Sequence, residues 1–454
     1  MKILKHKWFL LSFAIIVLCV FFTSNSWKMY KDYPYQFKYG NDVNQYYSYL
    51  PSAVIHKDLS MSYYNERGYW LVSDSNGIPL QKMTMGMSIM YSPFFMIGHT
   101  IALNTEFEAD GYSKPYSTSI KIGTYLYVTI GLYLLYLCLL YFFTPFISSL
   151  SILLIFLSTN LFYYTLCEGE MTHSYLFFLF TIIIFNTIKW FESYKPKNLI
   201  FLALAFGMSV LIRPTSALIF IFIFFYTISK VNILTLLKER YLIITIAILL
   251  FFIPVFLQML YWKVYGGSWM RWSYGDESFY FSSPHIIEFL IGYRKGWLIY
   301  TPIMIFSIIG MLFLKKKVPA MKWSIPIISI LAIYILSSWW CWWFGGSFGS
   351  RSMVEHYALL IFPLAAFIDR IAKIKLLNYS FILIFGFTIF YNILGTHKKN
   401  WWEVHWDSMS KDSFWYTFSR YSLDEEEKKV LESLHIYPDY ENAKKGLPEK
   451  DNNL

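Results

Sequence analysis

Charged side chains make up only 15% of the 454 residues, against the roughly 25% usual for a soluble domain. That deficit excludes a disordered chain, a coiled coil and an ordinary cytosolic enzyme. Cysteine is also rare. Four residues exclude a disulfide scaffold, and no Cys-x-x-Cys pair points to zinc or thiol redox chemistry. No inverted internal repeat of the transporter kind is visible. What is abundant is apolar: 56% of residues are hydrophobic and 21% aromatic. The chain reads as an all-α, polytopic membrane protein.

A crossing helix needs roughly 20 apolar residues, because its backbone must satisfy its own hydrogen bonds in lipid. Runs that meet or approach this are 8–24, 120–143, 147–166, 172–188, 241–262, 297–314, 323–340, 352–368 and 377–394. Residues 199–211 and 214–228 form a shorter pair around Arg213-Pro214, which gives about eleven spans. The first run follows a basic start but ends without a small-x-small cleavage pattern, so it reads as a retained anchor.

The net charge of +10 has an address. Lys2, Lys5 and Lys7 form one basic cluster, and Lys189, Lys195 and Lys197 a second. Lys230, Lys238 and Arg240 form a third, Lys315, Lys316, Lys317 and Lys322 a fourth, and Arg370, Lys373 and Lys375 a fifth. Only Glu192, Glu239 and Asp369 oppose these sixteen, so the rest of the chain is slightly acidic. Short basic loops stay cytoplasmic. All five clusters fall on one side only if the apolar stretch 83–103 does not cross but lies on the outer surface or dips in and returns. The N-terminus is then cytoplasmic and the C-terminus outside, with an anchor (1–24), an outer loop carrying juxtamembrane helices (25–119), a helical bundle (120–395) and an outer tail (396–454). The basic excess sets orientation and makes no nucleic-acid surface.

Candidate chemistry lies in the outer loops. In Gly40-Asn41-Asp42-Val43-Asn44-Gln45-Tyr46-Tyr47-Ser48-Tyr49, a helix puts Asp42, Tyr46 and Tyr49 on one face. A carboxylate at headgroup depth suits a general base, and an N-cap is the plainer role. Lys82, heading the 83–103 stretch, is a phosphate ligand or a snorkelling interfacial lysine. Glu168, Glu170 and His173 stand within six residues, a set that holds a divalent metal or steadies a hydroxyl if the loop converges them. Arg271 and the aromatics around it suit a sugar or an isoprenoid with a charged head, or a headgroup belt. The densest signal is Trp339-Trp340-Cys341-Trp342-Trp343-Phe344-Gly345-Gly346-Ser347-Phe348-Gly349-Ser350-Arg351. Its glycines let the backbone approach an anion, and its guanidinium binds phosphate bidentately. Glu355 and His356 follow inside an apolar span, where Arg351 and Glu355 have the spacing of an i,i+4 pair. Cys167 and Cys341 both fall on the outer side, where a disulfide between them is open. Trp401, Trp402 and Trp406 suit an interfacial belt, and residues 424–434 a solvated helix.

With these residues in place, the chain resembles the GT-C superfamily of integral-membrane glycosyltransferases, which includes protein O-mannosyltransferases and aminoarabinose transferases. Gly40-Asn41-Asp42 and its tyrosines look like the acidic motif of that family's first loop. Gln81-Lys82-Met83-Thr84-Met85-Gly86 stands where relatives carry a Lys-Pro-Pro-Leu-like stretch, without the prolines. The Trp-rich turn ending in Arg351 is similar to one in bacterial members. The resemblance implies inverting transfer of a sugar from a polyprenyl-phosphate donor to a lipid, glycan or protein hydroxyl at the outer face of the cell membrane. It implies Asp42 as base, Lys82, Arg271 and Arg351 near the phosphate, and Tyr46, Tyr49, His173 and Trp343 against the substrate. A divalent metal on Glu168, Glu170 and His173 is optional. The rival reading is a transporter or flippase for lipid-linked sugars, against which stands the missing inverted repeat.

Overall fold

The computed structural model describes residues 6–26, 41–61, 72–73 and 79–447. Lys2, Lys5, much of the first outer loop and the last seven residues lie outside these. The regular structure of the described residues is helical apart from one antiparallel pair, Val72–Ser73 with Pro79–Leu80, and an isolated antiparallel bridge between Phe279 and Trp339. Helices α1 (Lys7–Ser26), α2 (Asn41–Tyr47), α3 (Gly86–Leu103), α4 (Lys114–Leu139), α5 (Pro145–Leu157), α6 (Leu161–Leu166), α7 (Thr172–Ser193) and α8 (Pro196–Ile212) come first. They are followed by α9 (Ile219–Lys230), α10 (Ile233–Gly266), α11 (Ile303–Gly310), α12 (Ser324–Ser337), α13 (Tyr357–Ile371), α14 (Lys375–Asn400), α15 (Lys411–Phe418) and α16 (Glu425–Ser433).

Among the described residues six helical segments are long and apolar enough to cross a membrane: Lys114–Leu139, Thr172–Ser193, Ile233–Gly266, Pro319–Ser337, Arg351–Ile371 and Tyr379–Asn400. This is the architecture of a helical membrane protein. Four shorter apolar helices, Lys7–Thr23, Pro145–Leu157, Pro196–Ile212 and Pro214–Lys230, fall at the other expected runs. The run 297–314 breaks into Trp297–Tyr300, α11 and a 3-10 turn. That run is therefore interrupted and is not one continuous helix.

The run 147–166 is likewise two helices, because polar residues interrupt it. α5 starts on an N-cap from Thr144 with Pro145 in its first turn and stops at Ser158. The carbonyls freed at Leu157 and Thr159 each accept from Asn392 Nδ2 at 2.9 Å. Asn160 donates across to Phe348 O at 2.9 Å. An apolar interior offers no water for such groups, so α14 and the 348 loop take its place. Hydroxyls inside the helices instead fold back on the carbonyl one turn earlier, as Thr181 does on Phe177 and Thr187 on Ile183.

The segment Arg351–Ile371 is buried on all sides, whereas α10 leaves most of its surface outward, with Leu242, Leu249, Phe252 and Phe256 exposed. Such a face is a liability in water and ordinary against lipid chains. α3 packs along α4 and carries Pro93. It does not join the candidate spans.

Basic clusters and outer-loop candidates separate to opposite ends. Asp369 bridges Lys317 at 2.6 Å and Lys373 at 2.9 Å, joining two of the five clusters. Arg240 lies 5.2 Å over the ring of Tyr194, joining two more. At the opposite end the first loop, the 267–285 loop, the 339–351 loop and the tail converge.

α11 and α13 cross where Gly310 removes a side chain; a Cβ there would fall 1.9 Å from Pro363 O. Gly310→Ala should therefore destabilise the bundle by about 1–3 kcal/mol, read as a lowered thermal-unfolding midpoint of the purified protein. An unchanged midpoint would mean that the two helices part without cost.

Candidate functional site

The converging loops enclose a cavity of about 620 Å³. Its charged lining comes from Asp42, Lys82, Glu168, Arg213, Glu277 and Arg351, and its aromatic lining includes Tyr46, Tyr274, Trp339, Trp340, Trp406 and Tyr440. Asp42 stands in the first turn of α2, and Tyr46, one turn on, shares its face. Arg351 Nη2 donates to Asp42 Oδ2 at 3.1 Å. Tyr46 is almost wholly buried. Burial first, and the charge of Asp42 second, push its phenol well above the ordinary tyrosine value, so it meets a ligand as a neutral hydroxyl.

Lys82 is paired with Glu277 and lies 5.0 Å over the ring of Tyr274. Ser273 Oγ donates to Lys82 O at 2.6 Å, which ties the 267–285 loop to the head of α3. Burial pushes the Tyr274 phenol up to about 12. Arg213 reaches the cavity because Pro214 follows it. A residue before proline avoids the helical region, and Arg213 is extended (φ −148°, ψ 114°) between α8 and a 3-10 turn, Pro214–Leu218. Its Nη1 donates to Glu355 Oε1 at 2.9 Å.

Several expected residues stand elsewhere. Tyr49 lies behind the cavity face, its hydroxyl donating to Met83 O at 2.8 Å and its ring packed on Tyr261. Arg271 does not line the cavity and packs against Gly266 at the end of α10. Trp343 is buried behind the wall, under Arg294 at 5.0 Å and edge-on to Tyr440. Arg351 and Glu355 do not pair with each other, since each has a partner on another segment.

The expected metal set does not converge. Glu168 accepts from Tyr163 at 2.8 Å and faces the cavity. Glu170 is fully buried with neither carboxylate oxygen hydrogen-bonded among the described residues, and burial raises its pKa. His173 is fully buried beside Glu355. Among the described residues no three His, Cys, Asp or Glu side chains are placed to hold a metal ion. Cys167 and Cys341 are buried and free, so the disulfide left open by the sequence is not formed.

Sequence reasoning gave no site role to Arg213, Glu277, Trp406 or Tyr440. Arg213 carries a signal, a charge set between two apolar helices. The tail gives none. Its belt tryptophan Trp406 and the distant Tyr440 enter the wall because Tyr440 donates to Asp407 at 2.6 Å and Ser347 N donates to Trp406 O at 3.2 Å. α16, capped by Asp424 within a capping box, is the expected solvated helix.

Comparison with family models, with curated proteins and with solved structures finds no match to this chain. The cavity itself carries the chemical information. It offers a carboxylate held by a guanidinium, two further cations each balanced by a glutamate, and an aromatic wall. Such a set can bind an anion, stack a ring and accept a proton.

Lys295 holds the tail over this cavity. Its buried Nζ donates to Ser347 O at 2.6 Å and His405 O at 3.1 Å, and burial holds its pKa well below the ordinary lysine value. The folded chain releases this proton at lower pH than the unfolded chain, so stability rises as pH approaches about 10. Lys295→Met should flatten that rise in thermal unfolding at fixed ionic strength. An identical pH profile in variant and wild type would mean that the Lys295 amine stays charged when folded.

Proposed function

We propose that the protein is a membrane glycosyltransferase of GT-C type, moving a sugar from a polyprenyl-phosphate donor to an acceptor hydroxyl, with inversion. The observation that carries this reading is Asp42 in one cavity with Lys82, Arg213 and Arg351, opposite an aromatic wall. The donor's phosphate lies among the cations, and its sugar against Tyr46 and the tryptophans. Asp42 takes the proton of the acceptor hydroxyl as that oxygen forms its bond to the anomeric carbon. The bond from this carbon to the phosphate oxygen breaks, and both electrons leave with the polyprenyl phosphate. The leaving group gains charge, so it needs cations more than an acid. Arg351, hydrogen-bonded to Asp42 Oδ2, aims the carboxylate.

In this reading the chain crosses the cell membrane about eleven times. The basic ends are cytoplasmic, and the cavity and C-terminus are outside. α3 lies at the outer surface with its C-terminal end, Asn104, exposed.

Asp42→Asn should lower transfer about 10²–10⁴-fold in a reconstituted assay with a radiolabelled polyprenyl-phosphate sugar and membrane-derived acceptors, while folding and donor binding persist. Near-normal product formation would sink the assignment of the base. Topology is tested separately with Asn104→Cys. An impermeant maleimide should label intact cells at this position, and labelling only after permeabilisation would reverse the orientation.

A further inference from the structure

Beneath the cavity, one short 3-10 turn, Arg351–His356, carries charges that reach two different segments. Arg351 at its start pairs with Asp42. Glu355, only 3% exposed, accepts from Arg213 Nη1 at 2.9 Å. Its second oxygen, Oε2, stands 3.5 Å from Nδ1 of fully buried His173. Neither ring nitrogen of His173 is hydrogen-bonded among the described residues, and neither is Glu355 Oε2. Arg213 itself stays 20% exposed and lines the cavity.

A carboxylate buried at the end of an apolar helix is costly unless paired. Arg213 supplies that pairing through one Nη. The remainder of a planar five-donor guanidinium is then fixed in orientation, with its open part at the cavity. Arg351 is held through Nη2 by Asp42, which lines the cavity with it. Two guanidinium groups, each hydrogen-bonded to a carboxylate through one Nη, line one cavity. That is a cradle for a phosphate, which accepts bidentate pairs from both sides.

We infer that Arg213 is a direct ligand of the donor phosphate, and that Glu355, backed by His173, is the positioning residue that holds it. The inference rests on the glycosyltransferase reading, because the anion it names is the phosphate of a polyprenyl phosphate. Glu355 does not touch the ligand. His173, expected against the substrate, acts instead from behind the carboxylate.

The test is binding of undecaprenyl phosphate to full-length protein in nanodiscs, with undecaprenol as the uncharged control. Arg213→Gln should weaken undecaprenyl phosphate about ten- to hundredfold and Glu355→Gln about tenfold, with undecaprenol unmoved. Glu355→Asp should recover part of the loss. In the double variant Glu355→Gln should add little to Arg213→Gln, because both act through one group. Unchanged affinity in Glu355→Gln, equal loss for undecaprenol, or additive losses would overturn the inference. So would displacement by phosphatidylglycerol as effective as by undecaprenyl phosphate, which would make the site a bulk-lipid contact. Arg213→Lys, which keeps the buried charge paired, guards against misfolding: its affinity should fall several-fold, and wild-type affinity would also overturn the proposal. If the wild type binds undecaprenyl phosphate and these variants match it, the inference fails while the enzyme reading stands. If the wild type binds none, the enzyme reading fails as well.

Discussion

The Arg351–His356 turn governs the rest of the cavity, because its two opposite charges do not satisfy each other. In an α-helix residues four apart share a face. In a 3-10 turn, with three residues per turn, they point about 120° apart. Arg351 therefore reaches Asp42 on α2, and Glu355 reaches Arg213 at the break after α8. Removing Arg213 would leave the Glu355 carboxylate, 3% exposed, in low dielectric without its partner. Two ion pairs thus tie α2, the 213 break and the 351 turn into one unit, more than 300 residues apart at the extremes of sequence.

Irregular backbone makes this possible. A regular helix spends all its carbonyls and amides on itself and presents side chains only around a cylinder. The chain instead unwinds at Ser158–Asn160, at Arg213–Pro214 and across the Gly345–Arg351 loop, and each break projects a polar group inward. Phe344 and Gly345 both take positive φ, 56° and 59°, and Gly345 has open space beside it. This is the conformation glycine adopts without strain. The broken stretches are tolerated because asparagines and tyrosines take up their carbonyls and amides. Asn160 and Tyr164 hold the Phe348 peptide from both sides, at 2.9 Å and 2.8 Å. Such breaks inside a membrane protein are tolerable only against protein or an aqueous cavity.

The apolar runs were legible because lipid imposes a length and a composition on every crossing, and the sixteen clustered basic residues were legible for the same reason. Asp42, Tyr46, Lys82, Glu168 and Arg351 stand out by residue type near the end of an apolar run or helix, and all five line the cavity. What stayed hidden depends on pairing at long range. No spacing rule links Arg213 to Glu355 or Lys82 to Glu277, and the apolar run 147–166 conceals a break that only Asn160 hints at. Tyr49 and Trp343 share a motif with cavity residues yet stand behind them, because a motif fixes order along the chain while facing is set by neighbours. Glu168, Glu170 and His173 failed to converge because the turn between them splays their side chains to Tyr163, to the neighbourhood of Lys121 and to Glu355.

The charge balance of the cavity bears on how the proposed reaction turns over. Three carboxylates and three cations line it, so it is close to neutral when empty. A polyprenyl-phosphate sugar is a phosphodiester with one negative charge, and its leaving group is a monoester that carries more. Cations aimed at the phosphate oxygens therefore hold the departing group more tightly than the donor, which lowers the barrier instead of merely tightening binding. Cations alone would also retain the product. In the proposed reaction Glu277 would limit retention by competing with the phosphate for Lys82, and Asp42 would do so for Arg351 once it has passed on the acceptor's proton. The carboxylates that hold Lys82 and Arg351, Glu277 and Asp42, are 15% and 31% exposed, so water can take their place. Glu355 is too deeply buried to leave Arg213. For the proposed reaction, one anchored cation and two exchangeable ones would bind a phosphodiester firmly and still release a phosphate.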